Sequence, residues 1–168
     1  MKIALLSDTH GYMGSDITDM LSGIDEIWHA GDIGPGSVIE DLEKITKVRS
    51  VYGNIDDTAI RDKSPLNQIF EIEGLKFLMT HIGGYPGRYT ARVRALIQDV
   101  RPNVYICGHS HILKVVPDNK YNLLHLNPGA CGHNGFHKIR TFLRFEVHQG
   151  EIKHMEVVEL GKRGSTYS

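Results

Sequence analysis

Short apolar runs that end on small and then polar residues mark the first third of the chain. Lys2-Ile3-Ala4-Leu5-Leu6-Ser7 lacks polar alternation, as expected for a strand covered on both faces, and it ends at Asp8-Thr9-His10-Gly11. Ile17, Met20, Leu21 and Ile24 then fall at helical spacing after a Gly/Ser start, with Gly23 near the stop. The unit repeats: Glu26-Ile27-Trp28-His29-Ala30 ends at Gly31-Asp32, and Val38, Ile39, Leu42 and Ile45 mark a helix behind Ser37. A third strand, Val48 to Tyr52, ends at Gly53-Asn54-Ile55-Asp56, which completes a β-α-β-α-β series.

The pattern then changes. Gln68 to Glu73 and Leu75 to Thr80 predict a hairpin around Glu73-Gly74 that finishes at His81. A loop, Gly83-Gly84-Tyr85-Pro86-Gly87, precedes a helix marked by Val93, Leu96, Ile97 and Val100, which Pro102 helps to stop. The strand Asn103 to Cys107 leads into the turn Gly108-His109-Ser110-His111. Leu113 to Val116, Leu123 to Leu126, Thr141 to His148 and Ile152 to Glu159 predict a closing meander of short strands. Parallel units early and a meander late point to two sheets packed face to face with helices outside. One domain over residues 1–160 is expected, with 161–168 as a flexible tail.

Composition narrows the function. With 168 residues and a formal net charge of -1, the chain has no global field for nucleic acid or an anionic membrane, so an anionic substrate must be captured locally. No stretch approaches the roughly 20 apolar residues of a membrane span. The run Ile3 to Leu6 is too short for a signal peptide, and the two cysteines, Cys107 and Cys131, sit in apolar or Gly-rich surroundings, so a reducing cytoplasm is the expected home. Ten histidines are the unusual number, and their placement decides what they mean.

Asp8 and His10 stand two apart at a strand end, where extended backbone would point both side chains the same way, and His109 and His111 repeat the device. Asp32, Asn54 and His81 close three further strands. Singly, each has a plain reading: a helix cap for Asp8 or Asp32, an Asx-turn for Asn54, a solvated histidine. Together, seven metal-competent side chains end five strand-to-loop junctions beside small residues. Mixed nitrogen and oxygen donors without thiolates argue against Mg, Ca and sulfur-rich zinc sites, and leave Mn, Fe, Ni or Zn.

Asp8-Thr9-His10, Gly31-Asp32, Gly53-Asn54-Ile55-Asp56, His81 and Gly108-His109-Ser110-His111 resemble, in order and separation, the signature of the calcineurin-like metallophosphoesterases, and most nearly the small YfcE-type phosphodiesterases. The likeness covers residues 2 to about 160. It implies an α/β (α+β) fold, a four-layer αββα sandwich of two mixed sheets flanked by helices. It also implies two divalent ions per chain, Mn foremost: Asp8, His10 and His111 on one, Asn54, His81 and His109 on the other, Asp32 bridging. Two such ions share a hydroxide and hold the phosphoryl oxygens for in-line attack. Asp32, Asn54 and His109 then form the catalytic core, with Asp56 orienting a ligand or polarising a bound histidine from behind, or else serving only as an Asx-turn residue.

Departures from the family pattern bear on substrate. Ile55 stands where protein phosphatases of the superfamily carry a histidine thought to protonate the leaving group, and isoleucine cannot donate. Many YfcE-type relatives continue His81 as His-Gly-His, whereas Ile82-Gly83-Gly84-Tyr85 follows here. Arg88 and Arg92 are candidates to reach a phosphate, Tyr85 to stack on a base, and His133 or His137 to join them after Asn127-Pro128-Gly129. His29, Trp28 and Cys107 are expected to be core residues. The expected activity is hydrolysis of a small or nucleotide-like phosphodiester. A phosphomonoesterase using the same site is one alternative. A non-catalytic protein-binding scaffold like the retromer subunit is another, opposed by the intact set of ligands including His10. Polymeric nucleic acid is not an expected partner, because no basic stripe with interleaved aromatics occurs. A homodimer or homotetramer would fit the family.

Overall fold

In the computed structural model, which describes residues 1–164, the apolar runs become strands at nearly the expected positions. The first part contains β1 (Lys2–Leu6), α1 (Ser15–Thr18), β2 (Glu26–His29), α2 (Ser37–Glu43), β3 (Lys47–Ser50) and α3 (Thr58–Lys63). The second contains β4 (Asn67–Ile72), β5 (Leu75–Thr80), α4 (Ala91–Val100), β6 (Val104–Ile106), β7 (Lys114–Asp118), β8 (Leu123–Asn127), β9 (Ile139–His148) and β10 (Glu151–Lys162).

The strands form two mixed five-stranded sheets, ordered β10-β9-β1-β2-β3 and β4-β5-β6-β8-β7. In the first, β1, β2 and β3 are parallel, β9 lies antiparallel to β1, and β10 antiparallel to β9. In the second, β5, β6 and β8 are parallel, with β4 and β7 antiparallel at the edges.

The period of two along β1 explains the layering. Ile3 and Leu5 join Trp28, Phe77, Met79, Ile106, Leu143 and Phe145 in the cluster between the sheets. Ala4 and Leu6 face the other way, against Ile17, Leu21, Val38, Leu42 and Ile60 of the short helices. Leu78, Tyr105 and Cys107 pack in turn against Val93 and Ile97 of α4. Both faces of each sheet are therefore covered, which is why the strands read as unbroken apolar runs. Trp28 anchors the middle, edge-on to Phe70, Phe77 and Phe145, with ring centres 4.8–5.7 Å apart. Such contacts contribute about 0.5–1.5 kcal/mol each beyond area burial.

Glu26, buried at the start of β2, ties the far end of this sheet together. It accepts from Trp28 Nε1 at 3.0 Å and from Lys47 Nζ and Arg49 Nε at 2.7 Å each. Burial alone would raise its pKa, but the hydrogen bonds from Arg49, Lys47 and Trp28 outweigh that and hold it at about 2.

Four expectations change. The first helix is only one turn, continued by a 3-10 turn at Asp19–Leu21, and α3 follows the third motif where the apolar pattern gave no sign of it. The closing strands are not one meander: β7 and β8 complete the second sheet, with β8 parallel to β6, whereas β9 and β10 return to flank β1. Polar alternation is similar for either pairing, so it did not distinguish them. The last strand also runs on to Lys162, into the expected tail, and Arg163 N bonds to Lys138 O. Residues 165–168 of that tail lie outside the described residues.

Candidate metal centre

The centre forms where the loops after β1, β2, β3, β5 and β6 meet beyond the strand ends, the usual ligand position in parallel sheets. Backbone bonds carry strand pairing into these loops: Asp8 N to Gly31 O (2.9 Å), His10 N to Asp32 O (3.0 Å) and Gly108 N to His81 O (3.0 Å). Two further bonds join the sheets. His109 N donates to Asp8 Oδ2 at 3.1 Å, and His81 Nδ1 lies 2.7 Å from Ala30 O.

The reason Asp8/His10 and His109/His111 converge differs from the sequence argument. Asp8, His10, Asp32, His109 and His111 all have positive φ, between 48° and 67°, so no extended pleat aligns them. They are five of the ten non-glycine residues in that region among those described. Left-handed backbone costs about 1–3 kcal/mol at such a residue and persists where the surroundings over-determine it, typically at functional sites.

The side chains gather in two groups, Asp8/His10/His111 and Asp32/His81/His109, with the donor atoms of each group within 4.8 Å of one another. His111 Nε2 stands 3.0 Å from Asp8 Oδ1, and His81 Nε2 stands 3.2 Å from Asp32 Oδ1 and 3.9 Å from Asp8 Oδ1. Yet Asp8 Oδ1, His10 Nε2 and His81 Nε2 are buried without a hydrogen-bond partner among the described residues. The approaches are close but misaligned, as when donors aim at a shared point rather than at each other. Unsatisfied buried polar atoms cost about 1–3 kcal/mol each, so their concentration here favours cations over a packing role. Asp32 faces both groups, with Oδ1 toward His81 and Oδ2 3.7 Å from His10 Nε2.

Hydrogen bonds behind the rings set the tautomers. Because a carbonyl only accepts, His81 Nδ1 donates to Ala30 O, which leaves the lone pair of neutral His81 on Nε2. His137 Nε2 likewise donates to Gly132 O at 3.0 Å, so its Nδ1 accepts from His111 Nδ1 at 3.2 Å and the lone pair of His111 also falls on Nε2. Both rings thus turn an unprotonated Nε2 toward the carboxylates of the centre. Charge in the centre follows: burial would lower the pKa of His81, but Asp32, Asp8 and the Ala30 carbonyl outweigh it and raise it. Burial, and then the neighbouring His81, lower that of His109. The centre attracts positive charge where the carboxylates face His81.

Asp56 orients no histidine; its 3 % exposed carboxylate takes the backbone amides of Gly53 (2.7 Å), Gly34 (2.9 Å) and Ile33 (3.2 Å), fixing the loops that carry Asp32 and Asn54. Asp32 Oδ1 accepts from Ile55 N at 3.1 Å rather than capping a helix. At Gly53 a Cβ would collide with Asp32 Oδ1 and N, so only glycine fits. Asn54 is exposed and shares a cavity wall with His81. His29 is the satisfied core histidine expected: Gly31 N donates to its Nδ1, Thr9 Oγ1 meets its Nε2, and burial holds its pKa at about 4.

The remaining candidates divide. Arg92 lines the cavity beside Asn54 and His81, whereas Arg88 is exposed and lines neither that cavity nor the one beside His109. Tyr85 lines the latter, but Lys114 Nζ lies 4.5 Å from its ring centre and occupies one face. His133 is engaged elsewhere, edge-on to Tyr12 and accepting from Gly164 N at 3.0 Å. The loop after Cys131 turns so that His137 reaches His111 instead. The sequence reading missed Ser7, whose hydroxyl donates to Asp8 Oδ2 at 2.6 Å; its only signal was its place before Asp8.

The model of the calcineurin-like phosphoesterase superfamily domain matches residues 1–150. The chain belongs to that superfamily. It is 31% identical over 136 residues to a probable metallophosphoesterase of Methanocaldococcus jannaschii, covering 77% of this chain and 68% of that one. A probable metallophosphoesterase of Methanothermobacter thermautotrophicus is 29% identical over 137 residues, 77% of each chain. Similar solved folds include an archaeal phosphodiesterase (TM-score 0.73, 24% identity, 94% of this chain and 100% of that one). Wild-type Vps29 of Entamoeba histolytica, complexed with zinc, is another (TM-score 0.74, 17% identity, 96% and 100%). The sandwich of two mixed sheets with flanking helices is thus the fold of these relatives, and the family is one of metal-binding phosphoester hydrolases. No helix among the described residues is long and apolar enough to cross a membrane.

Proposed function

We propose that the chain is a phosphodiesterase that hydrolyses a small or nucleotide-like ester at a pair of divalent cations. The observation that carries the reading is the set of orphaned buried donors, Asp8 Oδ1, His10 Nε2 and His81 Nε2, inside two His/Asp groups that share Asp32. Asp8, His10 and His111 would hold one ion and Asn54, His81 and His109 the other, with one Asp32 oxygen turned to each. The nitrogen and oxygen donors suit manganese first, then iron, nickel or zinc. Such a pair, when bound, supplies a water-derived nucleophile at neutral pH and the charge that steadies the phosphoryl oxygens.

The protein's own residues do the positioning. Ala30 O and His137 fix the tautomers of His81 and His111, Ser7 and the His109 amide hold the Asp8 carboxylate, and Asp56 locks the Asp32 and Asn54 loops. Ile55 carries no proton for the departing oxygen, which favours esters with weakly basic leaving groups. The archaeal phosphodiesterase of the same fold supports the diester reading. Retention of His10 with every other expected ligand supports catalysis over the scaffold role that the resemblance to the retromer subunit raises.

The test is to strip the protein, reload it with Mn, Ni, Zn, Fe or Mg, and compare an aryl phosphodiester with an aryl phosphomonoester. Turnover should return with Mn, favour the diester, and fall by at least 100-fold in Asp32→Asn and His109→Ala, in keeping with loss of several kcal/mol of transition-state stabilisation. Undiminished turnover in those variants would remove the site, and equal rates on the two esters would remove the diester preference.

A further inference from the structure

Two cavities adjoin the candidate centre, divided by the segment His81-Ile82-Gly83-Gly84-Tyr85. One, beside His109, of about 390 Å³, is lined by Gly84, Tyr85, Ser110, Lys114 and Asn127, and its cation is already seated over the Tyr85 ring. The other, also about 390 Å³, has Asn54 and His81 in its wall and differs in chemistry. Tyr52, Leu66 and Ile82 make it apolar, and Leu66 and Ile82 remain 41% and 39% exposed. They give the cavity an open apolar wall beside a metal-competent histidine, the lining of a site for a partly apolar ligand.

Arg92 stands in the same wall. Its Nη1 donates to Asn67 Oδ1 at 2.7 Å, and its Nη2 donates to Thr80 Oγ1 at 2.9 Å and Ile82 O at 3.1 Å. All three acceptors are neutral, and no carboxylate pairs with the guanidinium among the described residues. Of five N–H donors three are used, which leaves one Nη1 proton and Nε–H on a rigidly held cation. A pinned guanidinium with spare donors at the edge of an apolar cavity fits a ligand that is anionic at one end and flat and apolar at the other.

We propose that this cavity seats one arm of the phosphoester, an aryl- or nucleobase-sized group lying against Tyr52, Leu66 and Ile82, while Arg92 binds an oxygen of the phosphate to which that arm is attached. The assignment rests on the phosphoesterase reading and deepens it by naming the substrate class: esters with at least one aromatic arm. The second cavity, beside His109, leaves room for the other arm of a diester.

The experiment measures affinity rather than turnover, with Mn-loaded protein titrated calorimetrically with phenylphosphonate and methylphosphonate. Wild type should bind the phenyl compound roughly tenfold more tightly, the scale expected for burying one ring in an apolar cavity. Leu66→Glu puts charge into the cavity, and among the described residues Leu66 contributes only its backbone oxygen to hydrogen bonds, accepting from Thr80 Oγ1. It should bring the two affinities within about twofold while the melting temperature and the Mn titration stay as in wild type. Arg92→Gln should weaken both phosphonates alike and keep the phenyl preference. Equal affinities in wild type, or a phenyl preference that survives Leu66→Glu, would overturn the cavity assignment and leave the phosphoesterase reading standing. Failure to bind either phosphonate would overturn both.

Discussion

His137→Phe keeps a ring of similar size in the loop after Cys131 but removes the two nitrogens that fix His111. In the wild type the sequence of bonds runs from Gly132 O through His137 to His111 Nδ1, at 3.0 and 3.2 Å, and leaves Nε2 of His111 free 3.0 Å from Asp8 Oδ1. Without the acceptor at Nδ1, the His111 proton is free to move to Nε2, the tautomer that cannot bind a cation, and the ring is free to turn. Outer partners of metal-binding histidines are worth about 10–100-fold in affinity, or roughly 1.4–2.7 kcal/mol. On the proposed two-ion reading, the loss should fall on one ion only, because His81 is set by the Ala30 backbone carbonyl, which no His137 variant disturbs. A Mn titration of the stripped protein, followed by calorimetry or by the resonance of free Mn, should therefore show one tight phase unchanged and the other weakened at least tenfold. His137→Gln, which can still donate and accept, should recover part of the difference. Two phases within threefold of wild type, or an equal loss in both, would refute the tautomer argument.

Two further predictions concern stability and the shape of the centre. Glu26 has a depressed pKa, so its contribution is full above pH 4.5 and is lost as pH falls toward 2; the shift is equivalent to about 3 kcal/mol, reduced to roughly 1–2 by the 60% exposure of Lys47. Urea midpoints should fall less steeply over that window in Glu26→Gln than in wild type, and matching slopes would remove the assignment. Gly53→Ala should destabilise the fold by about 1–3 kcal/mol and weaken Mn binding tenfold or more, because the added Cβ displaces Asp32. Wild-type Mn affinity in that variant would contradict the tight approach.

Much of this was legible because strand ends and chemistry coincide in the chain. Five apolar runs each stop at a small residue followed by Asp, Asn or His, and the topology of parallel sheets brings such ends together. The reason for the convergence was not legible. Extended backbone at Asp8 and His10 was the natural inference from their spacing, and positive φ at both is imposed by tertiary bonds to Gly31, Asp32 and Ile33 that leave no trace in the local sequence. Helix α3 was missed for a similar reason: six residues with one buried apolar side chain, Ile60, make no detectable period, and only its cap, Asp57 accepting from Ile60 N, marks the start. The four late strands alternate well enough to be found, but alternation does not say which sheet receives them.

Histidines of unequal role look alike in this sequence because their spatial partners, not their neighbours along the chain, set them apart. His29 and His81 both close apolar strands, and both are buried, at 0 % and 1 % exposure. What separates them is where their second nitrogen finds a partner. Both His29 nitrogens are satisfied, by Gly31 N and Thr9 Oγ1, so the ring is a closed structural unit and burial keeps it neutral. His81 is satisfied on one side only, and its other nitrogen faces two carboxylates without making a hydrogen bond. Left-handed backbone at five neighbouring positions and three buried polar atoms without a hydrogen bond together cost the metal-free protein several kcal/mol by the ordinary scale of such terms. On the proposed reading, bound cations offset that cost, and folding stability and metal affinity are two measures of one arrangement.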